Sequence, residues 1–171
     1  AILALQAFPG LTVAAVNGVA AGAGLSLALA CDLRLVTPKA SFSAPWIKLG
    51  LVPDWGATFW LPRLVGVGKA LEIVTTGETV SAETAERIGL ITVIIADEDF
   101  RTAVQDRVIQ LGAARQAVAH AKRLIRLGSE DSLEAAMARE TESQEECFET
   151  GDFKEGLAAF LEHRLASFEG K

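Results

Sequence analysis

Cysteine and histidine are scarce: two of each occur among the 171 residues. They are Cys31, Cys147, His120 and His163. The cysteines stand in unrelated contexts with no C-x-x-C pairing, which argues against a disulfide framework and reads as thiols in a reducing compartment. Without a Cys/His cluster, no zinc site or other metal site is expected. Positive charge is also short. The 16 Lys and Arg face 22 Asp and Glu, a net charge of −6, and this argues against nucleic acid or an anionic membrane as a partner. An anionic ligand must then rely on local N–H groups and a few placed cations. The most apolar stretch, residues 19–31, is too short and too rich in glycine and alanine for a membrane span. The opening Ala-Ile-Leu-Ala-Leu-Gln-Ala-Phe-Pro carries no basic region and does not look like a signal peptide. A soluble, cytoplasmic protein is the expectation.

Half of the residues are apolar, so the chain can bury a real core and general disorder is excluded. The pattern predicts the tail of a helix over Ala1–Phe8, stopped by Pro9-Gly10, and a buried strand over Thr12–Val16. A small-residue helix over Gly22–Ala30 and short strands over Leu33–Val36 and Ala40–Phe42 follow. Trp46–Leu64, punctuated by Pro45, Gly50, Pro53, Gly56 and Pro62, reads as irregular. Gly68–Thr75 reads as a helix ended by Gly77, and Ser81 as the N-cap of a short helix closed by Gly89. Leu90–Ile95 reads as a strand. Beyond Glu98, helical patterns with charged outer faces run over Val104–Leu111, Ala113–Leu127, Ser132–Glu149 and Phe153–Phe168. Two regions are expected: a strand-containing core over residues 1–96 that carries the active site, and a helical region over 97–171. Helical appendages with apolar stripes often pack on a neighbouring subunit.

Residues 17–32, Asn-Gly-Val-Ala-Ala-Gly-Ala-Gly-Leu-Ser-Leu-Ala-Leu-Ala-Cys-Asp, carry a glycine corner between a strand and a helix. Such a corner aims backbone N–H groups at an anion. A dinucleotide fingerprint fails because bulky Leu27 takes the third glycine position after Gly22 and Gly24, with no acidic residue at the expected distance. A nucleophile elbow at Ser26 lacks a well-placed base, since His120 and His163 both fall in helical patterns. Tight helix packing alone would also use these small residues. The remaining reading is an oxyanion hole.

The second constellation surrounds Asp54, the one carboxylate in an otherwise apolar stretch that includes Leu51, Val52, Pro53 and Trp55. Burial there would raise its pKa into the range useful for proton exchange near neutrality. A plain N-cap of the helix-compatible segment Trp55–Leu61 is the competing role. Trp46, Trp55 and Trp60 fit either core or pocket wall.

Taken together, V-A-A-V-N-G-x-A-x-G-x-G-x-x-L-A-L-A-C-D, F-S-x-P-x-I-x-L-G-L-V-P-D-x-G, L-P-R-L-V-G-x-x-x-A and the closing E-G-L-A-A-F-L-E-H-R resemble the crotonase (enoyl-CoA hydratase/isomerase) superfamily over essentially the whole chain. The resemblance implies a mixed α/β (α+β) fold, the C-terminal two-thirds of a ββα-spiral core with a helical trimerisation region. It also implies homotrimers or dimers of trimers and acyl-CoA thioester substrates, with coenzyme A part of the substrate and no separate cofactor. By the same resemblance, the Ala23 N–H between Gly22 and Gly24 is an oxyanion donor. The two glutamates of the hydratases fall on Ser26 and Trp46, neither of them acidic, while Asp54 coincides with the carboxylate of the isomerase branch. The pattern is similar to the 2-(1,2-epoxy-1,2-dihydrophenyl)acetyl-CoA isomerases of phenylacetate breakdown, within the wider setting of fatty acid metabolism. Gly22, Gly24, Trp46, Leu51, Val52, Pro53 and Trp55 would line the substrate site, and Asp54 with Ala23 would be catalytic. Trp46 with Asp54 also matches the 4-halobenzoyl-CoA dehalogenases, which use a histidine from a preceding half of the domain. A non-catalytic acyl-CoA-binding paralogue is the third possibility. Family members carry a preceding block with a second oxyanion N–H, so these residues alone are expected to be inactive.

Overall fold

A computed structural model of the chain describes residues 1–96 and 98–171. Residue 97, where the helical region is expected to begin, lies outside the described residues. The chain divides into two units. One comprises Ala1–Phe8 with Thr12–Asp106, the other Pro9–Leu11 with Arg107–Lys171.

In the first unit, helix α1 (Ile2–Ala7) precedes β1 (Val13–Val16), β2 (Val19–Ala21) and α2 (Ala23–Ala30). A second strand-strand-helix passage follows: β3 (Leu33–Val36), β4 (Ser41–Ser43), a 3-10 turn over Pro45–Leu49, and α3 (Ala57–Thr76). Then come β5 (Thr79–Ser81), α4 (Ala82–Arg87) and β6 (Val93–Ile94). Two three-stranded sheets result, ordered β1-β3-β6 and β2-β4-β5. The first is wholly parallel, with Val13 opposite Leu33 and Leu35 opposite Val93. In the second, β2 pairs parallel with β4 (Ala20 opposite Phe42), and β4 pairs antiparallel with β5 (Phe42 opposite Val80). Each strand of the first pair of passages hands over to the other sheet within a short corner. Thr37 N–H donates to Val16 O (3.0 Å) and Ser41 N–H to Gly18 O (3.2 Å), so the corners are pinned to one another.

The core of this unit is built from Leu25, Leu29, Val36, Phe42, Ala57, Leu61 and Leu90, with Ala residues where elements approach closely. The central strand β3 of the first sheet is buried along most of its length, as the middle strand of a parallel sheet is, whereas Ala15 of β1 and Val19 and Ala21 of β2 are exposed. At the base of the first sheet, Thr12 and Asp32 bind each other reciprocally. The Thr12 N–H and hydroxyl both donate to Asp32 Oδ2 (2.7 Å each), and the Asp32 N–H donates to Thr12 Oγ1 (3.0 Å).

Two stretches depart from the expected elements. Trp46–Leu64 is largely ordered into the 3-10 turn and the first half of α3, and only residues 50–56 between them are irregular. Gly66 (φ 77°, ψ 158°) breaks α3 into two pieces, which explains why only its second half reads as a helix in the sequence. Only Val93 and Ile94 of Leu90–Ile95 pair as a strand. The N–H groups of Leu90 and Ile91 instead donate to Ala85 O (2.8 and 3.3 Å), closing α4 around Gly89 (φ 78°) and drawing both side chains into the core.

The second unit carries α6 (Arg115–Gly128), α7 (Leu133–Phe148) and α8 (Gly151–Leu161), after α5 (Phe100–Leu111), which spans the boundary. Ser132 and Thr150 cap α7 and α8 by accepting from Ala135 N–H (3.2 Å) and Phe153 N–H (3.0 Å). Helix α8 ends at Leu161 rather than continuing to Phe168. His163 takes φ 55°, and the tail folds back. There the Asp152 carboxylate accepts from the Glu169 and Gly170 N–H groups (2.8 and 3.1 Å), and Lys171 O accepts from Gly151 N–H (2.8 Å).

Candidate active site

Gly22 makes the corner possible. Its φ of 54° with ψ of −122° is a backbone conformation that residues with a Cβ avoid. Its N–H donates to Ser43 O (3.1 Å) and its carbonyl accepts the first α2 bond from Ser26 N–H (3.0 Å). Gly22 therefore shapes the site, but its own N–H is committed to β4 and is not available to a ligand. Ala23 and Gly24 are the first residues of α2. Their N–H groups have no intrahelical partner by position, and none is supplied by the described residues.

Asp54 stands beyond the 3-10 turn. Gly50 N–H donates to Ile47 O (3.0 Å) and Leu51 N–H to Trp46 O (2.9 Å), ending the turn. The buried Trp46 then donates from Nε1 to Asp54 Oδ1 (3.2 Å). Asp54 does not cap α3: the N-cap is Gly56 in the left-handed region, and no side chain caps it. Instead the Asp54 carbonyl accepts from Ala57 N–H (3.0 Å). Trp55 between them is held at φ 48°, an unusual conformation for a bulky residue and a form of strain that clusters at functional sites.

The expected burial of Asp54 is not what the structure shows. Asp54 is exposed, and of its apolar neighbours Leu51, Val52 and Trp55 are exposed too, with Pro53 half-buried. The reason is local. Residues 50–56 leave the core after Trp46 and rejoin it only at Ala57, so their side chains line the surface. Trp46 is the one of the seven expected lining residues that is buried, and it reaches the carboxylate through its indole N–H.

Ser26 is completely buried and is not poised as a nucleophile. Its hydroxyl donates to Asp54 O (3.0 Å), with Gly22 O 3.3 Å away on its own helix. The sequence reading does not contain this contact, because it joins positions 28 apart and has no local signature. His120 and His163 belong to the helical unit, where His120 Nε2 lies 3.4 Å from Glu146. Among the described residues no three His, Cys, Asp or Glu side chains gather as metal ligands, and no helix is long and apolar enough to cross a membrane.

The site thus offers backbone donors at a helix start and one carboxylate steadied by an indole. Comparison with known proteins bears on this arrangement. The family model for enoyl-CoA hydratase/isomerase matches residues 1–171. A crotonyl-CoA hydratase of Syntrophomonas wolfei is 38% identical over 162 residues, covering 93% of this chain and 62% of the relative. A short-chain-enoyl-CoA hydratase of Clostridium acetobutylicum is 35% identical over 153 residues, 89% of this chain and 59% of the relative. The crystal structure of an enoyl-CoA hydratase from Bacillus anthracis superposes with a TM-score of 0.92 at 32% identity, over 99% of this chain and 66% of that one. The chain therefore spans about three fifths to two thirds of the length of these relatives. The mixed α/β architecture and the motifs agree with them, and the chain belongs to the enoyl-CoA hydratase/isomerase family.

Proposed function

We propose that the protein carrying this chain is an acyl-CoA isomerase that shifts a double bond, or rearranges a ring, in an unsaturated acyl-CoA. The observation that carries the reading is the single carboxylate: Asp54 is held by Trp46 Nε1 at 3.2 Å, while Ser26 and Trp46 occupy the places where the family resemblance puts the hydratases' glutamates. Adding water across a double bond calls for two acid-base groups, whereas a 1,3-proton shift needs one. With Oδ1 engaged by the indole, Oδ2 takes a proton from the carbon adjacent to the thioester, or vinylogous to it. The electron pair moves onto the thioester oxygen, which the Ala23 N–H stabilises as an enolate. The protonated Asp54 then returns its proton at the far end of the delocalised system, regenerating the carboxylate. Leu51, Val52, Pro53 and Trp55 supply apolar surface for the acyl group, and Gly24 lets it approach α2. Coenzyme A enters and leaves as part of the substrate. The exposed apolar faces of the helical unit support a homotrimer or a dimer of trimers, the acidic net charge supports work away from nucleic acid, and two cysteines in unrelated contexts without a C-x-x-C pairing support a reducing compartment, the cytoplasm.

The reading predicts that the parent protein interconverts β,γ- and α,β-enoyl-CoA with deuterium uptake from D₂O, faster than it hydrates crotonyl-CoA. Asp54→Asn should lower isomerisation by about 10²–10⁴-fold. Retained isomerisation in that variant, or hydration as the faster reaction, overturns it. The Trp46–Asp54 hydrogen bond also suits a second reading, nucleophilic displacement on an aromatic acyl-CoA, in which Asp54 attacks the ring. A trapped covalent Asp54 adduct would identify that chemistry. Tight acyl-CoA binding without any α-proton exchange would instead mark a paralogue that binds and does not turn over.

A further inference from the structure

We infer that Ser26 is a positioning residue that holds the Asp54 backbone in register with the oxyanion corner, a role that rests on the isomerase reading above. Between Gly50 and Trp55 no side chain is buried, so this loop is not placed by packing. Its start is held by the Gly50 and Leu51 N–H groups on the 3-10 turn, and the bonds that hold its far end converge on Asp54. The carbonyl accepts from two helices at once, from Ala57 N–H at the start of α3 (3.0 Å) and from the Ser26 hydroxyl in the first turn of α2 (3.0 Å). The carboxylate accepts from Trp46. A hydroxyl has one proton, and the nearer acceptor is Asp54 O rather than Gly22 O at 3.3 Å. Ser26 N–H in turn donates to Gly22 O, and Gly22 N–H to Ser43 O. One short chain of bonds thus runs from β4 through the glycine corner to the residue that carries the proton. It ties Gly22, the residue before the Ala23 N–H, to the backbone of Asp54, and the separation of that N–H from the carboxylate decides whether one bound thioester can use both. Misplacement by a fraction of this reach is expensive in rate. Trp55 at φ 48° directly follows Asp54, and a strained residue of this kind persists only when its surroundings over-determine it. The Ser26 bond is one of those constraints.

The test compares Ser26→Ala, Ser26→Thr and Asp54→Asn in the intact protein, with the Trp46 indole N–H followed by NMR. Ser26→Ala is expected to lower kcat for isomerisation about tenfold with KM within twofold, to shift the indole resonance and to speed its solvent exchange. Ser26→Thr, which keeps the hydroxyl, should stay within about threefold of the parent. An unmoved indole signal with unchanged kcat in Ser26→Ala overturns the role, as does a Ser26→Thr variant as impaired as Ser26→Ala. Activity surviving in Asp54→Asn overturns the isomerase reading instead. In that event the indole signal of Ser26→Ala still decides whether the serine holds the loop.

Discussion

In the strand-bearing unit, Leu25, Leu29, Leu35, Phe42 and Leu61 are each 1% exposed, whereas in the helical unit Ile125, Leu133, Phe160 and Leu161 are 76%, 72%, 76% and 69% exposed. Among the described residues, Ala159 is the one buried apolar side chain of the helical unit. That unit is held instead by polar contacts: Arg139 with Asp131, Arg123 Nη2 donating to Ser143 Oγ (2.9 Å), Arg164 forked onto Glu155 (2.6 and 2.9 Å), and the tail bound by Asp152. Of these, the Arg164–Glu155 fork is exposed and contributes little, whereas Ser143 and Asp152 are buried and their bonds satisfy groups cut off from water. The comparison shows where rigidity is invested. The strand-bearing unit is tied down by burial of its sheets and of α2, while the exposed loop that carries Asp54 is anchored to that core by hydrogen bonds. The helical unit keeps its apolar stripes on the surface.

Core truncation breaks this comparison most directly. Phe42→Ala, which empties a site at the centre of the second sheet, should cost about 3–5 kcal/mol in urea denaturation. Phe160→Ala should change the stability of the dissociated chain by less than about 0.5 kcal/mol. A Phe160→Ala loss that approaches the first figure and grows with protein concentration would show the helical face covered in an assembly.

A glycine pair sharpens it at smaller scale. An added Cβ meets no atom within 4 Å at either Gly22 or Gly128, but only Gly22 has a positive φ. Gly22→Ala should therefore destabilise by about 1–3 kcal/mol from backbone strain alone. Gly128→Ala, in the last turn of α6, should stabilise by about 0.4–1 kcal/mol through the unfolded state. Thermal melts of the two variants should move in opposite directions.

The smallest effect is a pH dependence confined to the helical unit. The Arg164 guanidinium and the Ser167 N–H hold the Glu155 carboxyl down to about 2. Because the folded value lies below the unfolded one, near 4.5, the contribution is complete above that value. It is lost as pH falls toward about 2. Protection of the Ser167 amide against hydrogen exchange, measured relative to its intrinsic rate, should fall over this window in the parent, because its N–H donates to Glu155 Oε1 (2.8 Å). In Glu155→Gln that protection should show no such dependence, and the strand-bearing unit should be unaffected in both proteins.

Much of the fold was legible wherever local chemistry decides it. The Val13–Val16 and Leu33–Val36 runs, the Ser81 cap that accepts from Thr84 N–H (3.3 Å), and the Gly77 end of α3 all follow from residues within one turn of each other. Two failures had the same cause. Leu90 and Ile91 carry strand-like side chains, yet their N–H groups were taken by Ala85, and α8 stopped at Leu161, where His163 takes φ 55° and Arg164 N–H donates back to Ala159 O (3.0 Å). In both cases a competing partner, not intrinsic propensity, set the boundary.

At the candidate site the same division holds. The sequence by itself determined a glycine corner at Gly22 and Gly24 between a strand and a helix, the Ala23 N–H at the start of that helix, and the presence of one carboxylate at position 54 among apolar residues. Composition and backbone sterics act locally and need no partner to be read. Tertiary structure alone decided that Asp54 lies at the surface rather than buried, that Gly22 N–H is spent on Ser43, and that Trp46 and Ser26 reach Asp54 from two other elements. Those outcomes depend on hydrogen bonds between segments brought together only when the core closes, and a donor at position 26 carries no mark in the sequence of the acceptor it will find.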